Sequence, residues 1–410
     1  MNENNKQKGL TLLILVAALG YFVDVYDLVL FGVIRVPSLR GIGITTDADI
    51  ALYGKMLFNF QMWGMLAGGI FWGILGDKKG RLSVLFGSIF LYSVANILNG
   101  MISTVEQYKI LRFIAGFGLA GELGAGITLV NETMTKEHRG YGTMIVVSFG
   151  VLGAVFANIL GHFVTWQSSY IIGGVMGLVL LFLRIGVYES GMFKNLQVHS
   201  LERGNLMMLF NNRKRFLTYL SSIAVGVPIW YMIGILVVFS PEIAKMNGIT
   251  GVNGGDAIMY FYLATCVGDF LSAYWSQQWK SRKKVLKLYL IITMVITPVY
   301  LYLMGNASVS IFYAVCGLLG FASGYWAVFV STASEQFGTN IRATVTTTVP
   351  NMVRGSLAIL TLLLAYFRDS LGLNMIDAMF AVGVITAAGA FLSLLGIKES
   401  YAKDLNYIET

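Results

Sequence analysis

The sequence predicts an all-α integral membrane protein of about twelve spanning helices arranged as two six-helix bundles, with both termini cytoplasmic. Three observations carry that expectation. Of the 410 residues, 56% are hydrophobic and only 12% charged, against roughly 25% charged in an ordinary soluble domain. The mean hydropathy is +0.70. Apolar stretches fill most of the chain, and at about 20 residues per span only short connections are left between them. With 5 prolines and 2 cysteines, neither a disordered chain nor a disulfide-stapled module fits.

The spans are expected at about 10–35, 55–76, 82–102, 107–131, 142–165, 168–187, 216–240, 257–278, 285–304, 308–334, 342–366 and 375–396. The first is not a signal peptide, because it has no small-residue cleavage site and carries Asp24 and Asp27 where a signal is uninterruptedly apolar. Lys78, Lys79, Arg213, Lys214, Arg215, Lys280, Arg282, Lys283 and Lys284 crowd the loops of one side, while the other side has only scattered bases such as Arg40, Lys109 and Arg368. Positive loops stay inside, so this side is expected to be cytoplasmic, in a bacterial-type inner membrane. The same topology accounts for the net charge of +8 without nucleic acid, since the bases are not gathered on one face. Cys266 and Cys316 lie in apolar stretches, where a thiol behaves as a small hydrophobe.

The long connection at 188–215 divides the helices into a first bundle, 1–187, and a second, 216–410 with a short tail. A weak repeat supports the division. Glu132 and Arg139 are seven residues apart, as are Glu335 and Arg342, and the two pairs are offset by 203. Transporters built from repeated halves place their substrate between them, near the membrane midplane.

The loop after the second span reads Gly73-Ile-Leu-Gly-Asp77-Lys-Lys-Gly80-Arg81. Gly80 permits a sharp reversal, and Asp77 can pair with a cation or sit at a helix N-terminus. In this position the segment closely resembles the loop signature of the major facilitator superfamily. Asp24-Val-Tyr-Asp27-Leu-Val-Leu-Phe-Gly resembles the first-helix motif of aromatic-acid and metabolite proton symporters, and Arg112-Phe-Ile-Ala-Gly-Phe-Gly-Leu-Ala-Gly-Glu122 resembles their fourth helix. The stretches Glu132 to Arg139, Arg184 to Glu189, Glu335 to Arg342 and Lys398-Glu399-Ser400 to Glu409 resemble the gating motifs and tail of sugar porters. Two departures stand out. The second-half loop, Tyr274 to Arg282, keeps the basic ending without the acid, and Gly191 stands where family members often have proline. None of these motifs carries substrate identity.

Charged side chains deep in a bilayer cost several kcal/mol unless paired, neutralised or hydrated, so each is a functional candidate. Asp24 and Asp27, three apart, share a helix face, and two adjacent carboxylates favour proton binding. Arg112 is the expected partner of Asp27, as in the matching pair of sugar–proton symporters, with direct binding of a substrate carboxylate as its alternative role. Glu122, among Gly116, Ala120 and Gly124, is a second proton-site candidate, or else an interhelical hydrogen bond. Asp269 and Arg354 are the second half's candidates for meeting substrate.

Tyr21, Asn59, Gln61, Asn158, Trp230, Tyr231, Trp326 and Asn351 are candidate cavity groups, although aromatics at helix ends also anchor at the interface. Gly150, Ala154, Asn158 and His162 form one helical stripe, and Pro228 is expected to kink the seventh span. Asp77, Arg81, Glu132, Arg139, Arg184, Glu189, Glu335 and Arg342 are expected to form the salt bridges that close the cytoplasmic side. The reading is a monomeric secondary transporter that imports a small polar metabolite, an organic acid or amino acid, with protons. A sugar substrate, or an uncoupled facilitator or exporter, is the alternative. No cofactor or metal is called for, and no metal cluster, nucleophile elbow or phosphate loop points to an enzyme.

Overall fold

A computed structural model describes residues 3–79, 81–122, 134, 139–189, 206–338, 340–403 and 408–409. Apart from short connections, these residues form α1 Glu3–Gly41, α2 Asp47–Lys79, α3 Arg81–Asn99, α4 Val105–Leu119, α5 Arg139–Gly150, α6 Leu152–Phe163, α7 Trp166–Glu189, α8 Arg213–Tyr231, α9 Ser240–Met246, α10 Gly254–Gln278, α11 Arg282–Tyr302, α12 Val309–Ser323, α13 Trp326–Glu335, α14 Arg342–Asp369 and α15 Met375–Ser393. Nine described segments are long and apolar enough to cross a membrane. α2, α3 and α4 fall where three further spans are expected. In α2, 33 residues long, Lys55, Asn59 and Gln61 dilute the apolar run.

Local chemistry sets many of the helix starts. Thr104, Asn212, Asn253, Ser281, Ser308 and Asn374 stand at N-caps, each side-chain oxygen accepting from a backbone N–H two or three residues on. Several spans are less regular than periodicity suggests. The expected fifth span is broken at Val151 and the tenth at Gly324–Tyr325, while Pro228 is followed by a π-helical turn, Met232–Val237. The fourth span, expected to reach 131, turns at Ala120 and Gly121, and its remainder lies outside the described residues. Gly121 and Gly324 are 203 apart, the offset of the Glu–Arg repeat.

The packing repeats as well. A side chain on Gly116 would strike the Gln61 carbonyl in the α2–α4 seam, and one on Gly320 the Phe261 carbonyl in the α10–α12 seam. Glycines at these positions let the helix backbones touch. Burial separates centre from rim. The apolar windows of the first and tenth spans are 78% buried and those of Trp166–Arg184 and Met375–Ser393 only 39%, so the latter two lie on the outside with Phe182, Leu183, Leu392 and Leu395 exposed.

Two seams join the halves. In one, α2 meets α14, where Gly69 faces Asn351 and the Thr344 hydroxyl donates to the Gly73 carbonyl at 3.4 Å. In the other, α10 meets α5 and α6, with the Cys266 thiol donating to the Ser148 carbonyl at 3.1 Å. Gly320→Leu is expected to force α10 from α12 and destabilise the protein by about 1–3 kcal/mol or more; an unchanged thermal unfolding midpoint in detergent would contradict this packing.

Candidate functional site

The central cavity lies where the broken helices converge. Tyr21, Val25 and Leu28 of α1 and Val151 of the α5–α6 break face Trp230, Tyr262, Thr265, Asp269, Ser323, Trp326 and Arg354 of the second half. Its volume is about 30 Å³, room for a water or two rather than an organic acid. The α12–α13 break leaves α13 without a side-chain cap of its own. Asp269 reaches in from α10 instead, and its Oδ1 accepts from the Ala327 N–H at 3.1 Å. The Arg354 guanidinium lies 5.9 Å from the Trp230 ring centre and 5.4 Å from that of Trp326. Its Nη1 donates to Asn351 Oδ1 at 3.2 Å. Arg354 Nε, Asp269 Oδ2 and Trp326 Nε1 are buried without partners, which leaves hydrogen-bonding capacity directed at this region.

Behind α1, the first half encloses a second set of charges. Asp24, Asp27, Arg112, Glu122 and Arg184 are each at most 5% exposed. Glu122 accepts from Arg184 Nη2 and from the Tyr92 hydroxyl at 3.5 Å. Gly20 makes room for this pair, since a Cβ there would strike both partners. Asp24 Oδ1 is buried without a partner.

Asp27 and Arg112, expected in direct contact, are not hydrogen-bonded to each other. Arg112 Nη2 donates to Asn96 Oδ1 at 2.7 Å and its guanidinium lies 4.7 Å from the Tyr170 ring centre. Asn96 stands beside Asp27 without completing a hydrogen bond. The amide thus fills the space that a direct pair would need. Asp27 lies beside Asn96 and Arg112, and Glu122 is within electrostatic reach of both Asp24 and Asp27.

Other expectations divide. Tyr21, Trp230, Asp269, Trp326 and Arg354 line the cavity. Tyr231 does not, since its hydroxyl donates to the Met379 carbonyl at 2.8 Å against α15. Asn351 ties the halves together, donating to the carbonyl of Ala120 at the α4 end at 2.8 Å. Gln61 donates to the Leu28 carbonyl at 3.3 Å, and Asn59 Oδ1 is buried without a partner. Neither amide lines the cavity. Asn158 lies at the far end, donating to Asp256 Oδ1 at 3.1 Å, where His162 Nε2 approaches the same oxygen at 3.6 Å. Arg184 is a buried partner of Glu122 rather than a surface gate residue.

Contacts between the halves lie on both sides of the cavity. At the far end Arg35 Nη2 pairs with Glu242 Oε1 at 2.8 Å. At the end carrying the C-terminal tail, Gly140 packs on Gln277 and Arg282. There Arg282 pairs with Glu335 at 3.2 Å, and Ser400 donates to Glu335 at 2.7 Å. Arg342 donates to the Phe337 carbonyl at 3.2 Å. Partial burial raises the pKa of Glu399, yet hydrogen bonds from Ser281 and from the Arg282, Lys283 and Tyr401 amides hold it below the usual range overall. Glu132 and the side chains of Asp77, Arg81, Arg139 and Glu189 lie outside the described residues.

Sequence reasoning missed Asn96, Tyr262, Thr265 and Ser323. A helical-wheel reading from Asp269 reaches two of them, because Thr265 and Tyr262 precede it by four and seven residues on the same face.

Two related sets of apolar helices enclosing a small cavity with an aspartate and an arginine on its wall have the architecture of a membrane transporter rather than an enzyme. The chain belongs to the Major Facilitator Superfamily, whose family description matches residues 17–359. It is 28% identical over 305 residues, 71% of this chain and 73% of the other, to the Bacillus subtilis (strain 168) protein named putative niacin/nicotinamide transporter NiaP. It is 26% identical over 345 residues, 79% of this chain and 76% of the other, to a probable 4-methylmuconolactone transporter of Cupriavidus pinatubonensis. The proton:xylose symporter XylE superposes with a TM-score of 0.72 over 98% of both chains at 16% identity, a likeness of fold.

Arg184→Met strands the buried Glu122 carboxylate and is expected to cost about 3–5 kcal/mol. Adding Glu122→Gln should recover much of the loss in thermal unfolding, whereas additive losses would mean that the two residues do not act as a pair.

Proposed function

We propose that the protein is a proton-coupled symporter importing a small organic acid. The observation that carries this reading is Arg354, a cation on the cavity wall set between two indole faces with a buried, unpartnered Nε. A guanidinium so placed suits a planar carboxylate, which it can hold by a forked hydrogen bond while the substrate ring packs on Trp230 or Trp326. The relatives' names point the same way, since niacin and 4-methylmuconolactone are small ring compounds bearing carboxyl or lactone oxygens. A relative of Acinetobacter baylyi, 28% identical over 186 residues covering 43% of this chain and 39% of that protein, is named a benzoate transport protein.

In this reading twelve spans form two bundles, 1–187 and 216–410, joined by the 188–215 linker, in an inner membrane with both termini cytoplasmic. The monomer rocks the bundles about the cavity. Arg35–Glu242 and Asn158–Asp256 part to open the far side. On the tail side, the seam around Gly140, Gln277 and Arg282 parts, with Asp77, Arg81, Glu132, Arg139, Glu189, Glu335 and Arg342 as gating groups. A proton on Asp27 removes its attraction for Arg112, freeing Asn96 and the packing between α1, α3 and α4. Because Arg112 stays charged at any working pH, the acid is the partner that titrates.

Proteoliposomes acidified outside are expected to accumulate labelled nicotinate or benzoate, and a protonophore should abolish the accumulation. Asp27→Asn should lose gradient-driven accumulation and keep counterflow exchange. Flux that ignores an imposed pH gradient would instead indicate an uncoupled facilitator or exporter. Arg354→Gln should weaken carboxylate binding about ten- to a hundredfold, the range of a hydrogen bond to a charged group; wild-type affinity would remove Arg354 from the substrate site.

A further inference from the structure

The loop from Tyr274 to Arg282 keeps the basic ending of its first-half counterpart without the acid, and bases continue around it as Lys280, Lys283, Lys284 and Lys287. None of these four lysines forms a salt bridge with a described residue. The described acids beside them are engaged elsewhere. Glu335 pairs with Arg282 at 3.2 Å. Glu399 accepts from the Ser281 hydroxyl and from the Arg282 and Lys283 amides, the last two at 2.9 and 3.3 Å. The positive charge at the start of α11 therefore has no internal counterpart.

Along the same helix face the charge gives way to apolar surface. Lys284, Lys287, Ile291 and Met294 follow one another at three or four residues, and all four are exposed. α15 runs alongside. At one end of this seam the Tyr302 hydroxyl donates to Asp377 at 2.7 Å and the Tyr302 ring packs on Phe380. At the other, Lys287 Nζ lies 5.8 Å from the Phe391 ring centre. Val384 and Ala388, on the face of α15 that carries Phe391, are exposed as well. Trp279 in the α10–α11 turn is 45% exposed and stacks on Trp275 with ring centres 5.7 Å apart. An exposed indole at a helix end marks the depth of the lipid headgroups, so the lysines stand where headgroup phosphates lie and the apolar stripe where acyl chains lie.

We propose that the α11–α15 seam is a docking site for an anionic phospholipid, its headgroup among Lys283, Lys284 and Lys287 and its acyl chains along Ile291, Met294, Val384 and Ala388. Charge selects the partner. A zwitterionic lipid brings the same chains, but its own ammonium offsets the phosphate, while free phosphate meets the lysines and leaves the apolar stripe uncovered. The site bears on the join between the halves, because Arg282 and Gln277 pack on Gly140 of the first half. The intervening turn is tight, with Lys280 in the left-handed region at φ 49°. A lipid seated on α11 thus braces the turn that closes the tail-side seam.

Full-length protein in dodecyl maltoside can be titrated with dioleoylphosphatidylglycerol or dioleoylphosphatidylcholine while thermal unfolding is followed. Phosphatidylglycerol is expected to raise the unfolding midpoint at a much lower mole fraction than phosphatidylcholine. Sodium chloride at about 1 M, where the Debye length is roughly 3 Å, should remove most of that preference. Each lysine neutralised should raise the phosphatidylglycerol concentration for half-maximal stabilisation about fivefold, so Lys283→Gln/Lys284→Gln/Lys287→Gln should respond to the two lipids nearly alike. Arg213→Gln/Lys214→Gln, which removes bases from the start of α8 instead, should keep the preference. Equal stabilisation of the wild type by both lipids, a preference that survives high salt, or an undiminished preference in the triple variant overturns the proposal. Stabilisation by sodium phosphate alone to the same extent overturns the lipid as occupant, and a preference lost equally in the α8 variant reduces it to net charge. If the triple variant fails to fold, Lys287→Gln and the salt dependence of the wild type decide. The substrate reading stands or falls separately, since no transported solute enters the measurement.

Discussion

An unmatched charge in an apolar interior is too costly to keep, and the interior of this chain is arranged around that constraint. Glu122 is matched by Arg184 lying against it, and Arg184 reaches Glu122 because Gly20 has no side chain in the way. Arg112 is held by Asn96 and the Tyr170 ring, a softer arrangement than a direct ion pair with Asp27. A pair separated by one amide is easier to uncouple than two groups in contact. That suits the proposed proton switch at Asp27.

The helix interruptions serve the same end. An unbroken helix satisfies its own backbone and offers a cavity only side chains. Where α12 gives way to α13, the freed N–H of Ala327 engages Asp269, and just past the end of α4 the carbonyl of Ala120 accepts from Asn351 of the other half. Gly121 and Gly324, related by the internal repeat, thus create polar backbone sites in both halves close to the seam. The Ala120–Asn351 bond links one half directly to the residue that positions Arg354.

Much of the fold was legible because hydropathy reports burial in lipid. The same averaging hides the breaks at Val151 and Gly324, since one non-helical residue barely alters a twenty-residue pattern. Tyr21, Asp269 and Arg354 could be picked out because a polar residue inside a span has few bland explanations. Asn351 and Asn158 satisfied the same criterion and yet tie the halves together, for sequence shows that an amide is buried but not which carbonyl or carboxylate it meets. Arg184 was misplaced for a related reason. Near a helix end it reads as a loop charge, and only the packing of α7 on α1 turns it inward. Asn96 could not be found at all without knowing that it stands beside Arg112, on a different helix.

The idea joining these features is that the interior moves between the two sides of the membrane with its charge matched in every state. Membrane potential tests this directly, because 100 mV acts on each unmatched elementary charge with about 2.3 kcal/mol. Nicotinate uptake into proteoliposomes should be measured at zero pH gradient while a potassium diffusion potential is set to zero or to inside-negative. Matched charge predicts the same initial rate at both potentials. A rate that rises or falls several-fold with the potential would show that net charge crosses with the substrate and would contradict the account.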